Sequence, residues 1–580
     1  MSFYPFTSGL INTFDGKTET DLNFGLDVKY GITENFTLDA TLVPDFSQAG
    51  FDNLELNLGP FEQTFSEQRQ FFTEGVDLFN KGDLFFSRRI GSSPTGEAEL
   101  NENEKIENYP SSVKVLNAIK VSGRTKNGLG IGVFNAITEK TNAVIRDTVS
   151  GSIREDVVEP ISNYNILVID QQFNKNSSIS LINTNVTRSG NFRDANVTGL
   201  IFDINNKRNT YNVQGEAKMS NLNLADSTST GYSSFFRIRK THGNLRYSFD
   251  HSYADTKYDI NDLGLIYRNN FNDFGIDISY QIFEPTKTFN NYFINTYVNY
   301  KRLANPNVFT GKEFGMRFDA QTTKLNDFGG GISFEAGQQF DYFEPRTPGR
   351  YFIYENKLSS DLWYSSNYNN AFAYDFNIGA AALFENNRDT SEYWFGISPR
   401  FRFNDKFLID YAFDFSKDFN DRGFTGNIND DILFGERDRQ TLINSISANY
   451  TFNPFHGLSL TFRNYWTIVN YDTTLFTLEE NGRLSQDSGH MIDDLETDPN
   501  INYNTWNLDL NYSWQFAPGS FLTALYRNQL FHVNNDSINS YGGSLETLFN
   551  QPIQNTFSLR VQYFIDYNVI KKALSNKNKS

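Results

Sequence analysis

The 580-residue chain contains no cysteine, which excludes disulfides, thiolate metal sites and a cysteine nucleophile, and suits an exported protein. It also lacks any run of about 18 consecutive apolar residues, the minimum for a membrane-crossing helix. Basic residues are short: 51 Lys and Arg stand against 69 Asp and Glu, a formal charge of -18. That balance disfavours nucleic acid as a partner, because phosphate binding needs a basic surface. The start, MSFYPFTSGL, has no basic stretch followed by an apolar core, so no signal peptide is visible. A chain of the kind argued below is then expected to be a mature or excised portion of a longer precursor.

Catalytic and metal-binding signatures are scarce too. The five histidines, His242, His251, His456, His490 and His532, include no pair at metal-ligand spacing, so no metal and no cofactor are expected. Acidic stretches at Asn427–Asp431 and Asp493–Asp498 lack the spacing of a calcium loop and read as solvated. There is no Gly-Xaa-Ser-Xaa-Gly elbow. The chain is not expected to be an enzyme, and no catalytic residue is assigned.

Aromatic residues are abundant instead: 56 Phe and 31 Tyr bring the aromatic share to 16%. They are placed with period two. In TWNLDLNYSWQFA (505–517), Trp506, Leu508, Leu510, Tyr512, Trp514 and Phe516 share one parity. Asn507, Asp509, Asn511, Ser513 and Gln515 take the other. Aromatic residues at the ends of the apolar face and aliphatic ones in its middle suit a strand that meets lipid. A ten-residue strand at roughly 3.3 Å per residue, tilted by about 45°, spans about 23 Å, close to the apolar band of an outer membrane.

The pattern recurs from Leu22–Tyr30 to Phe557–Tyr567, usually as pairs joined by short polar turns such as GITEN and RTKNGL, which makes antiparallel hairpins. Ser540–Leu548 is read as the strand preceding Phe557. Phe3–Phe14 is a further candidate. Longer polar connections are expected at 141–161, 222–230, 341–356, 421–435 and 472–503. Short turns at one end and long loops at the other are the asymmetry of outer-membrane barrels. The predicted fold is all-β: one large antiparallel transmembrane barrel of about 24 strands, with 22 to 26 as the range, covering residues 1–580 as a single domain in the bacterial outer membrane. Soluble propellers and solenoids are disfavoured by the dominance of Phe and Tyr on one parity and by the absence of a fixed-length repeat.

Residues 45–110 do not alternate. A barrel this large has a wide lumen, so this segment is expected to fold inward as a plug. Glu67, Arg69, Glu74, Arg88 and Arg89 are its candidate ion-pair and carbonyl-binding residues. The wall residues expected to face the lumen are Asn507, Asp509, Asn511, Ser513 and Gln515.

The stretches VKYGITENFTLDATLVPDFSQ, FSEQRQFFTEG, LFFSRRIG and, at Tyr258–Asn270, YDINDLGLIYRNN resemble a family of Gram-negative outer-membrane barrel domains of unknown function. Such barrels usually follow an N-terminal domain similar to family-nine carbohydrate-binding modules. That domain is not among these residues, so its sugar binding is not implied here. The chain also departs from the family pattern: Val43 stands where asparagine is usual before Pro44, Asp45 and Phe46, and Ala49, Gly50 and Phe51 replace an acidic stretch.

The expected function is that of a plugged channel or transport component for an unidentified solute. The alternatives are a non-conducting barrel that anchors a periplasmic domain or serves a larger envelope complex and, more weakly, a barrel-embedded hydrolase. Outer-membrane lipid and lipopolysaccharide are the expected partners, with other envelope proteins if the complex reading holds.

Overall fold

The computed structural model describes residues 1–568 and 571, apart from 225, 486 and 487. Twenty-six strands share one antiparallel sheet. Two of them, Leu484–Ser485 and Ile565–Asp566, are two residues long and extend the edges of longer neighbours, which leaves 24 wall strands. The sheet closes on itself where Ser2–Phe14 pairs with Gln554–Gln562, in register from Phe6 opposite Gln562 to Thr13 opposite Asn555. No free edge remains, as a membrane-spanning sheet requires.

The strand count agrees with expectation, but its composition does not. Ser540–Leu548 is not a strand: Tyr541–Phe549 is a helix, and the Ser540 hydroxyl caps it by accepting from Gly543 N. Two adjacent glycines weaken any strand here, and the buried residues Ser544 and Leu548 recur at helical spacing. Ser2–Phe14 supplies the missing strand. Both described chain ends consequently lie at the end with the short turns.

The 421–435 stretch is also a correction. It is the far part of an extended hairpin, Phe407–Ile428 with Asp431–Asn453, turning at Asn429 and Asp430. Most of 141–161 likewise forms a hairpin, Thr141–Asp147 with Ile153–Glu159, and joins Glu104–Asn108 in a separate three-stranded sheet.

One parity is exposed and apolar along the wall, as at Leu167 and Ile169, whereas Ile166 and Val168 between them are buried. The helix Tyr541–Phe549 packs on the exposed, outer parity. The Tyr541 hydroxyl donates to Asn464 Oδ1 at 2.8 Å, and Asn502 Nδ2 donates to the Ser544 hydroxyl at 2.8 Å. Phe549 meets Trp506 with ring centroids 5.1 Å apart. The helix thus covers a polar row on the outer parity of the wall.

Candidate functional site

Residues 43–114 leave the barrel at the long-loop end, between Phe36–Leu42 and Val115–Arg124. These two strands pair directly, Leu42 opposite Asn117 and Phe36 opposite Gly123. The stretch is therefore an insert into an intact hairpin, and the sheet closes without it. Its first residue, Val43, has φ 52, a left-handed conformation that β-branched side chains disfavour and asparagine tolerates.

Arg69 organises the insert. Its side chain is nine-tenths buried and holds Glu67 in a two-point pair, Nε to Oε1 at 2.8 Å and Nη2 to Oε2 at 2.7 Å. It also donates to the carbonyls of Ile90 at 2.6 Å and Ser87 at 2.7 Å, and stacks over Phe72 at 4.4 Å. One guanidinium thereby ties residues 67–72 to 87–90, where planar bidentate geometry is most effective. Burial pushes the Glu67 carboxyl up, but Arg69 and the Ser87 hydroxyl outweigh it and hold the group below the usual carboxylate range.

The other candidate ions do not join this pair. Arg88 binds Asp52 at 2.6 Å and the Ser66 carbonyl. Arg89 pairs with Glu62 and donates to the carbonyl of Gly264 at 3.2 Å. Glu74 reaches Lys29 of the second strand at 2.7 Å. Burial alone would raise its carboxyl, yet Lys29 and Gln70 bring it below the ordinary value.

Wall side chains that sequence reasoning did not single out hold the insert in place. Lys120, 2% exposed, donates to the Phe71 carbonyl at 2.6 Å and also to that of Glu74. Asp170 takes Lys81 at 3.1 Å. Across the closing seam, Ser558 accepts from Gln48 at 2.6 Å, Arg527 reaches the Ala49 carbonyl at 2.7 Å and Arg463 the Leu54 carbonyl at 3.0 Å. At the rim, Arg346 donates to the Leu58 carbonyl at 2.7 Å, and Phe61 packs on Phe343 at 5.4 Å. The wall anchors Lys120, Asp170, Ser558, Arg527 and Arg463 all stand on the parity opposite the apolar one. Their sequence signal was a lone charge or, at Ser558, a hydroxyl on a strand's polar parity, shared with many residues that touch nothing in the insert.

Phe72, Phe79, Leu84 and Ile90 pack with wall residues Ala118, Phe134, Ile166, Val168 and Ile182 in one buried apolar cluster. Of the wall residues named from sequence, Asp509 pairs with Arg527 at 2.6 Å and Asn507 accepts from Gln529 at 2.7 Å. Asn511, Ser513 and Gln515 continue the same inner row, half-buried. They make no hydrogen bond to the insert among the described residues.

The copper transporter OprC matches with TM-score 0.40 and 10% identity over 81% of this chain and 82% of that one. The siderophore receptor PirA from Pseudomonas aeruginosa matches with TM-score 0.32 and 6% identity over 97% and 80%. OpdQ, also from Pseudomonas aeruginosa, matches with TM-score 0.26 and 10% identity over 97% and 98%. No curated protein matches significantly in sequence. The closed 24-stranded wall with an apolar outer parity makes the chain a bacterial outer-membrane β-barrel. Residues 1–574 match the family described as a domain of unknown function, DUF5916, and the chain belongs to that family.

Proposed function

We propose that the protein is an outer-membrane channel or transport component whose lumen is narrowed by the insert acting as a plug. The observation that carries this reading is the set of inner-wall tethers, Lys120 and Asp170 on one side and Arg463, Arg527 and Ser558 on the other. Five wall strands on the two sides of the closing seam commit charged or polar side chains to one irregular segment. Such polar anchoring differs from a uniformly apolar core, because bonds to single carbonyls can be exchanged for water without unfolding the wall.

Conduction through planar bilayers tests the proposal. Residues 45–110 are replaced by a short turn, which the direct pairing of the flanking strands permits. Conductance that rises several-fold in the deletion supports the plugged channel, and a barrel silent in both forms overturns it. A second reading, membership of a larger envelope assembly, is favoured by the exposed apolar tip of the outer hairpin, with Val149 79% and Ile153 56% exposed. Stoichiometric co-purification in mild detergent that is lost on changing both to Ser is its test.

A further inference from the structure

The insert does not treat the wall evenly. Among the described residues, none of its hydrogen bonds, ion pairs or ring contacts reaches the nine consecutive strands from Phe271–Ile282 to Asp431–Asn453. Between Leu56–Phe61 of the insert and this arc lie two cavities of about 440 and 650 Å³. Their walls carry Glu335, Glu392 and Asp418 and also bases, Lys357 and Arg439 in the smaller cavity and Lys301 and Arg302 in the larger.

The inner parity of the arc is open in a second sense. Small residues recur on it: Gly315 lies opposite Ser333, Ser333 opposite Ser359, and Gly331 opposite Asp361. Its charges are one-sided as well. Asp277, Glu335, Asp361, Glu392 and Asp414 share this parity by register. Among the described residues none of the five has a basic group within 4 Å.

The bases present are mostly spoken for. Arg317 pairs with Asp319, Arg400 with Asp410, and Arg439 with Asp418. Near the rim, Arg388, Arg422 and Arg437 each have a carboxylate within 4 Å. Among the described residues, Lys357, opposite Glu335 in register, Arg302 in the wall of the larger cavity, and Arg402 next to a short turn have no carboxylate within 4 Å. On the covered arc, by contrast, Asp170 has both Lys81 and Arg124, and Asp509 has Arg527.

We infer that the solute path runs along the uncovered arc, between Leu56–Phe61 and the strands from Phe271 to Asn453, and that it selects small cations. Uncompensated carboxylates on a low-dielectric wall focus a negative potential into the narrow space beside them, concentrating cations and repelling anions. The inference rests on the channel reading above and adds to it where the path lies and which charge it passes.

Reversal potentials in a KCl gradient provide the first test, with the wild type against the quadruple variant E335Q/D361N/E392Q/D414N. None of these four groups is in an ion pair, so the wall is expected to fold unchanged. The wild type should favour K⁺ over Cl⁻ several-fold and the variant should approach equality. The second test uses the cysteine-free background. Ser359→Cys on the uncovered arc should react several-fold faster with a trimethylammonium-bearing thiosulfonate than with its sulfonate-bearing counterpart. Thr184→Cys, 3% exposed in the wild type beneath the insert, should resist both. A silent barrel overturns the channel reading. A conducting barrel whose selectivity the quadruple variant leaves unchanged, or equal labelling of Ser359→Cys by the two reagents, overturns this inference alone.

Discussion

The two halves of the inner wall use glycine for opposite ends. On the covered arc, a Cβ on Gly132 would sit 3.1 Å from the Phe79 ring and one on Gly199 would sit 3.0 Å from Leu84. There the missing side chains admit the insert. On the uncovered arc, the atoms that crowd Gly315 and Gly379 belong to Tyr297 and Trp394 of neighbouring strands. The wall fills its own gaps, which keeps large rings close to the sheet and out of the lumen. Where an insert is packed, a barrel wall behaves as half of a protein core; where none is packed, it behaves as a lined surface.

The sharpest way to break this comparison is to remove the hub of the packed half. Arg69→Ala leaves Glu67 buried without its cation and should destabilise the insert by about 3–5 kcal/mol. Amide exchange of residues 62–92 should accelerate while that of the uncovered arc stays unchanged. Equal acceleration in both arcs would show that insert and wall unfold as one unit. Overfilling is the next test. Ala136, fully buried under the insert, should cost about 1–3 kcal/mol on change to Leu, whereas Ser359→Leu should leave the melting temperature unaltered and lower conductance.

Acid probes the same hub more gently. The Glu67 carboxyl lies below its free value of 4.5 in the folded protein, so its stabilising contribution is complete above that value. It is lost as pH falls through the folded one. Protease cleavage within residues 60–95 should therefore rise as pH drops below about 4.5, and Glu67→Gln should flatten the profile. The smallest effect concerns the entry to the insert. Val43→Asn should relieve the left-handed strain and raise stability by about 1 kcal/mol, seen as a small upward shift in melting temperature; no shift would mean that the turn after Leu42 relaxes around valine.

Much of the wall was legible because its physical cause is local. Alternation is set by the pleat, and lipid selects large apolar residues on every second position, so strands such as Phe407–Phe415 announce themselves. The helix Tyr541–Phe549 escaped because nine residues give few turns over which to see its period, and because Leu545, Leu548 and Phe549 fit a strand nearly as well. Counting it as a strand and omitting Phe3–Phe14 still gives 24, because the two differences cancel. The irregularity of residues 45–110 was visible, as were its charged residues, since a break in alternation is also local. Their partners were not. Arg527 meets Ala49 across 478 positions and Arg463 meets Leu54 across 409, and such pairings depend on barrel closure rather than on any neighbouring pattern.

The helix laid on the outer parity has a mechanical consequence. Around His456–Leu478 and Ile501–Ala517 the sheet is sandwiched, with the insert bonded to one face and the helix to the other, and Asn464, Trp466, Thr467 and Thr505 are all 2% exposed or less. The cylinder thus has one laminated stave, and the arc free of the insert begins directly beside it, where Asp431–Asn453 pairs with His456–Leu478. The change from doubled to single wall is therefore abrupt and falls at one strand pair.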